Sequence, residues 1–306
     1  FKKLNPSLVV LAELELWPNF LRVCEKNNCE VVVVNGRITE KSLSGYLKIG
    51  RWLPRFGNIR FFCVQNNTYH KRFLKLGVPD DKVKVTGNLK YDSLDFSEVL
   101  PNMPWRKWGD KYSFFLLAST HAPEEKRILK SLNFSLNESV RLLIAPRHPQ
   151  RCEKLLIELR EAFPEYSFGL WSRERHKSSL SVQVLIIDAL GQLEDIYRVS
   201  KGAFIGGTLI EHGGQNLLEA AVANCPICLG PSVYNFESEV ALLESKRGLV
   251  RCKDAEDVIE CFSLWLRDSE GALEIANRAY SALESRRGAV KNTYNLLANL
   301  KLNTLK

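Results

Sequence analysis

The sequence predicts a parallel α/β fold divided into two units. Short β-rich runs recur along the 306 residues. Helix-length segments with apolar residues three and four apart separate them, and polar or glycine-rich clusters follow the runs directly. Strand, helix and strand in repetition require crossover connections, and these cover both faces of a parallel sheet.

The runs are 8–11, 31–34, 60–64 and 83–86, then 114–118, 142–145, 184–187, 203–205 and 227–229. Helical spacing occupies 19–26, 67–76, 149–162 and 216–223, and the tail reads as helix over 255–266 and 272–306. The rhythm breaks once, where Pro101, Asn102, Pro104, Trp105 and Gly109 cluster without periodicity. This predicts a first domain over 1–95, a linker over 96–112 and a second domain over 113–306, with a tail of the kind that often packs back across a domain gap. Only the runs before the break belong to the first domain, so it is expected to lack its N-terminal part.

Composition bounds the chemistry. A hydrophobic fraction of 45% is that of a soluble globular chain, and no run of roughly 18 apolar residues marks a membrane span. Eight cysteines stand singly, which excludes a disulfide framework and fits a reducing cytosol; the pair Cys225 and Cys228 lies inside an apolar run and reads as core. The net charge of +8 suits an anionic partner. Its densest stretch carries Lys41, Lys48, Arg51, Arg55 and Arg60 with Tyr46, Trp52 and Phe56 between them. A headgroup-facing surface and an ordinary solvated helix face both fit that stretch. No aromatic stacking platform for nucleic acid is present.

Ligands of open parallel sheets collect at the carboxyl ends of strands, so the clusters there carry the functional signal. Glu13 and Glu15 leave the first run ahead of Pro18, a residue suited to a helix start; their spacing puts both on one side of an extended chain. Asn35-Gly36-Arg37, Gln65-Asn66-Asn67 and the segment 86–92 with Lys90 end the next runs. In the second unit, Ser119-Thr120-His121 and Pro146-Arg147-His148 follow two strands, and Arg147 at a helix start suits a phosphate. Histidines 121 and 148 are candidates for catalysis or for a positional role. The segment 187–193, containing Gly191, Gln192 and Leu193, closes a further strand. The richest segment is 204–219, where glycine pairs 206–207 and 213–214 lead into Asn216, Leu217, Leu218 and Glu219. Glycine there would let backbone approach a phosphate. Asn216 with Glu219 has capping-box spacing, and Glu219 could equally accept from a ribose diol.

These words, in this order, resemble the Kdo transferases, which move 3-deoxy-manno-octulosonic acid (Kdo) from CMP-Kdo onto lipid A precursor. The matching segments are Glu13 to Asn19, Asn35 to Arg37, Thr86 to Asp92, Ser119 to His121, Pro146 to Arg151, Gly206 to Leu209, Gly213 to Glu219 and Gly230 to Phe236. The resemblance implies a GT-B fold, two Rossmann-like domains facing a cleft, with the first N-terminally truncated here. It implies an inverting, metal-independent transferase without cofactor, using CMP-Kdo and lipid IVA in lipopolysaccharide biosynthesis. It also implies anchorage at the cytoplasmic face of the bacterial inner membrane. Carried over by position, CMP is held by Pro146, Arg147, Gly191, Gln192, Leu193, Asn216, Leu217, Leu218 and Glu219. Glu13 and Lys90 take the transition-state-stabilising positions. The proton-accepting glutamate is expected before Phe1, so the fragment alone is expected to be inactive. Arg37 or Lys90 is proposed for the Kdo carboxylate. Leu14, Gln150, Gln192 and Leu217 depart from the family's usual residues; at Gln192 an amide replaces the usual carboxylate, keeping an acceptor, adding a donor and removing a charge. The alternatives are another GT-B transferase or epimerase acting on a different sugar nucleotide, and a non-catalytic nucleotide-binding remnant.

Overall fold

The computed structural model describes residues 1, 3–48, 58–96, 101–102, 104–132 and 139–300. Its contacts divide the chain into two units, Phe1–Ser93 with Ser285–Lys306, and Leu94–Glu284. Of the basic stretch, Arg51, Trp52, Arg55 and Phe56 lie outside the described residues. No helix among those described is long and apolar enough to cross a membrane.

In the first unit β1 (Leu8–Ala12), β2 (Glu30–Gly36), β3 (Ile59–Val64) and β4 (Val83–Val85) form a parallel four-stranded sheet in chain order. Val31, Val33, Phe62 and Val64 bury against Leu21 and Cys24 of the helix Pro18–Lys26 and Phe73 of the helix Asn67–Lys75. Pro18 opens its helix where a missing N–H costs nothing. Asn66 caps the other, its Oδ1 accepting from the Tyr69 N–H at 3.0 Å.

The second unit holds β5 (Ser113–Thr120), β6 (Val140–Pro146), β7 (Phe168–Leu170), β8 (Val184–Ile186), β9 (Ser200–Ile205), β10 (Ile227–Leu229) and β11 (Val250–Arg251). They form a seven-stranded parallel sheet in the order β11-β10-β9-β5-β6-β8-β7. The chain builds outward from β5 through β6 to β8 and β7, then returns to lay β9, β10 and β11 on the other side. The order therefore reverses between β5 and β9, and such a reversal opens a crevice above the strands' carboxyl ends. β7 and β11, with 3 and 2 residues, are too short to carry a periodic signal and were not expected from sequence.

Two boundaries differ from the sequence expectation. The segment read as a linker contains the helix Trp105–Gly109, whose Trp105 and Trp108 are buried in the second unit. Trp105 stacks on Trp171 with centroids 4.3 Å apart and an interplanar angle of 7°. Proline and glycine concealed the helix, and the apolar area of the two indoles decides where it packs. The tail also divides. The helix Ser269–Glu284 stays with the second unit, whereas Ala289–Ala298 belongs to the first. Asp92 anchors it by accepting from the N–H groups of Gly288 at 2.6 Å and Val290 at 2.8 Å, which caps the helix from another part of the chain. Cys225 and Cys228 are buried core residues, as their apolar setting predicts.

Candidate functional site

At the carboxyl edge of the second sheet a cavity of about 260 Å3 lies over β5, β6 and β8. It is lined by Ser119 near the end of β5, by Pro146 at the end of β6 with Arg147 and Pro149 beyond it, by Ile187 and residues 189–194 after β8, and by Glu219. The cavity thus gathers Pro146, Arg147, Gly191, Gln192, Leu193 and Glu219 from the predicted nucleotide set. Ser119 is a non-glycine residue held at φ 53°, a conformation that costs energy and tends to occur where a site requires it.

The lining differs from the sequence expectation in its donors. Arg147 does not start a helix: a 3-10 turn spans Pro149–Arg151 and the α-helix begins at Cys152. The backbone N–H of Arg147 donates to the Thr120 carbonyl at 3.0 Å. What it offers is its exposed guanidinium, which among the described residues has no hydrogen bond or ion pair. Gln192 accepts from the indole N–H of Trp105 at 3.1 Å, so its carbonyl is fixed and its NH2 remains a donor.

The glycine-rich segment is not an open phosphate loop. The N–H groups of Gly207, Thr208 and Leu209 donate to the carboxylate of Glu124 at 2.8, 3.1 and 3.0 Å, and His121 donates its N–H to the same group at 2.9 Å. Gly213 donates to Ser232 Oγ at 2.9 Å and Gly214 to the Gly207 carbonyl at 2.9 Å. An anion site has formed, and a buried side chain of the protein fills it. Burial pushes the Glu124 pKa up while the N–H donors pull it down. Neighbouring Glu125 is fully buried and binds Arg151 at 2.5 Å and Thr120 Oγ1 at 2.6 Å. Nothing in the spacing of Glu124 and Glu125 identified them beforehand; a pair of acids after Pro123 reads as a solvated first helical turn.

The capping box is also displaced. The helix is Leu218–Val222, one turn and a fraction, with Leu217 rather than Asn216 at its N-cap. Asn216 instead accepts from the Leu218 N–H at 3.1 Å and donates its amide to Glu219 Oε1 at 2.7 Å. Leu217 and Leu218 are buried and do not line the cavity. Asn216 does not line it either; of the four predicted contacts in this segment Glu219 alone does.

Around the strand reversal stand three imidazoles. His121 and His212 have ring centroids 4.1 Å apart, and His121 and His148 5.9 Å. Gln215 Nε2 lies 3.0 Å from His121 Nε2; an amide nitrogen can only donate, so that ring nitrogen accepts. Burial, then His212 and His148, hold the His121 pKa down at about 4, with Glu125 pulling the other way.

In the first unit a second polar cluster forms at the ends of β1, β2 and β4. Glu13 accepts from Arg37 Nε at 3.0 Å and from its NH2 group at 2.8 Å. The strand stops at Ala12 and Glu13 turns at φ 61°, so the extended-chain relation expected between Glu13 and Glu15 does not hold; Glu15 accepts instead from the Trp17 indole. Asn35, at φ 53°, accepts from the Leu89 N–H at 3.1 Å, and Asn88 donates to Gln65 at 3.3 Å. These bonds place the 3-10 turn carrying Lys90. Burial, then Arg37, lower the Lys90 pKa.

Residues 1–93 match the family model described as 3-deoxy-D-manno-octulosonic-acid transferase (kdotransferase). The chain is 30% identical over 299 residues to the 3-deoxy-D-manno-octulosonic acid transferase of Haemophilus influenzae, covering 96% of this chain and 69% of that protein. The chain belongs to the Kdo transferase family. The corresponding protein of Chlamydia muridarum is 29% identical over 304 residues, covering 97% and 69%. Among solved structures, the C-terminal CMP-Kdo binding domain of WaaA from Acinetobacter baumannii matches with a TM-score of 0.53 and 29% identity, over 57% of this chain and 91% of that one. A UDP-N-acetylglucosamine 2-epimerase aligns over 98% of this chain and 75% of its own with a TM-score of 0.63 and 14% identity, a likeness of fold. The fold is accordingly GT-B, with a parallel Rossmann-like sheet in each unit.

Proposed function

We propose that this protein transfers Kdo from CMP-Kdo to lipid IVA, with inversion and without a metal ion, at the cytoplasmic face of the inner membrane. The observation that supports this most is the cavity that gathers Pro146, Arg147, Gly191, Gln192, Leu193 and Glu219, the residues carried over as CMP contacts, in a chain similar to a CMP-Kdo binding domain. Loss of CMP from the ketosidic carbon builds positive charge on the sugar and negative charge on the departing phosphate. The exposed guanidinium of Arg147 meets the second need, because a charge-assisted bond strengthens as the phosphate gains charge. Glu219, steadied by the Asn216 amide, accepts from the ribose hydroxyls.

Glu13 and Lys90 of the first unit are assigned to stabilising the transition state. Glu13, fixed by Arg37, supplies negative charge, and Lys90, desolvated, supplies a cation whose field is little screened. A Kdo carboxylate at Arg37 shares that guanidinium with Glu13.

The test has two parts. The purified chain is titrated with CMP and with UMP, and CMP is expected to bind at least about tenfold tighter; equal affinities would end the donor assignment. The full gene product is then assayed with CMP-Kdo and lipid IVA, with products scored by mass. Glu13→Ala and Lys90→Ala are each expected to slow transfer by about 100-fold or more. Transfer that neither substitution slows would remove those roles.

A further inference from the structure

His121, His148 and His212 sit where the strand order reverses, at the ends of β5, β6 and β9. None of the three lines the donor cavity itself, but their chain neighbours do: Ser119 lies two residues before His121 and Arg147 directly before His148, and Gln215, bonded to His121, lies four residues before the lining Glu219. We propose that the three imidazoles form the anion-receiving side of the donor site and take the phosphate of the bound nucleotide, an inference that rests on the assignment of the cavity to CMP.

The cluster is built to place like groups together. Gly207, at φ 70°, carries no side chain where a Cβ would stand 3.1 Å from His212 Cδ2 and 3.6 Å from His121 Cδ2. The His212 carbonyl accepts from Asn235 Nδ2 at 2.9 Å. Glu124 ties the backbone of His121 to the loop that bears His212.

The charged groups around the cluster leave it without a counter-ion. Glu124 is saturated by backbone N–H groups, Glu125 is taken by Arg151 and Thr120, and Arg147 and Arg151 add positive charge. Glu211 is next in the chain to His212 and is exposed. Among the described residues no carboxylate bonds to any of the three rings. His121 stays neutral, its proton on Nδ1 because Nε2 accepts from Gln215. His148 and His212, exposed on either side, supply N–H donors to an arriving phosphate.

Calorimetric titration of the whole chain with CMP and with cytidine isolates this role, since the two ligands differ by the phosphate alone. The wild-type protein is expected to prefer CMP, and His148→Gln and His212→Gln are each expected to cut the CMP-to-cytidine affinity ratio by about tenfold. A preference kept in both variants, or CMP and cytidine weakened by the same factor, overturns the histidine assignment and leaves the donor site standing. Failure of the wild-type protein to bind either ligand removes the donor site and the proposal with it.

Discussion

The loop after β9 and the loop after β8 each lead from a parallel strand through glycine into a helix, yet their donors have different fates. In the first, Gly207, Thr208 and Leu209 spend their N–H groups on Glu124. In the second, Gly191 turns at φ 75° with nothing within 4 Å of where its Cβ would stand, and Gln192 keeps its NH2 open beside the cavity. Glycine in both marks a backbone path, and only the partners tell which path serves a ligand. The backbone of the filled loop is structural support, which leaves ligand contact there to side chains such as His212; the open loop is a wall of the site.

The largest expected effect breaks the filled loop. Glu124→Ala leaves four N–H groups without an acceptor, two of them buried and two partly buried, and loss of about 3–5 kcal/mol of stability is expected in urea denaturation. Glu124→Gln keeps one acceptor oxygen and should lose about half as much. A loss below about 1 kcal/mol for alanine would show that water replaces the carboxylate and that the loop can open to a ligand. Next comes the open wall. Arg147→Ala is expected to weaken CMP binding by about 10- to 100-fold with little change in melting temperature, because among the described residues its guanidinium holds no other group.

The layered fold was legible because β5 and β6 are buried along nearly their whole length and read as unbroken apolar runs. The cavity wall was legible because Pro146 and Arg147 stand at the end of β6 and 191–193 in the polar segment that follows β8. What sequence hid was long-range pairing. Glu124 lies 83 positions from Gly207, and Asp92 lies 196 from Gly288; no local pattern links either pair. The helix at Trp105–Gly109 was hidden for a different reason, since 5 residues cannot establish a period and two indoles decided its place.

A smaller effect concerns pH. In the unfolded chain His121 titrates near 6.5, whereas in the folded protein its pKa is about 4. Above the unfolded value both states are neutral and the group contributes nothing. As pH falls through the interval, the unfolded chain gains a proton that the folded one refuses, so stability falls. With solvent screening at this partly exposed ring the loss is on the order of 1–2 kcal/mol. Urea denaturation at about pH 7 and about pH 5 should show that loss in the wild-type protein and a smaller one in His121→Gln. Equal losses would mean that neither burial nor the neighbouring imidazoles hold the His121 ring neutral in the folded protein.

The smallest effect sharpens the orientation of the ligand between the two loops. Gln192→Glu keeps an oxygen for the Trp105 indole but exchanges the open NH2 for a second oxygen bearing charge. With the nucleoside along the β8 loop and the phosphate toward the β5–β9 reversal, that charge lies far from the phosphate. CMP and cytidine should then weaken together, each by less than about fivefold, on the scale of one neutral hydrogen bond of about 1 kcal/mol. Weakening of CMP alone would place the phosphate against Gln192 and reverse the ligand in its cavity. Salt separates the two cases, because a lost neutral bond is indifferent to ionic strength, whereas repulsion between a carboxylate and a phosphate fades as screening grows.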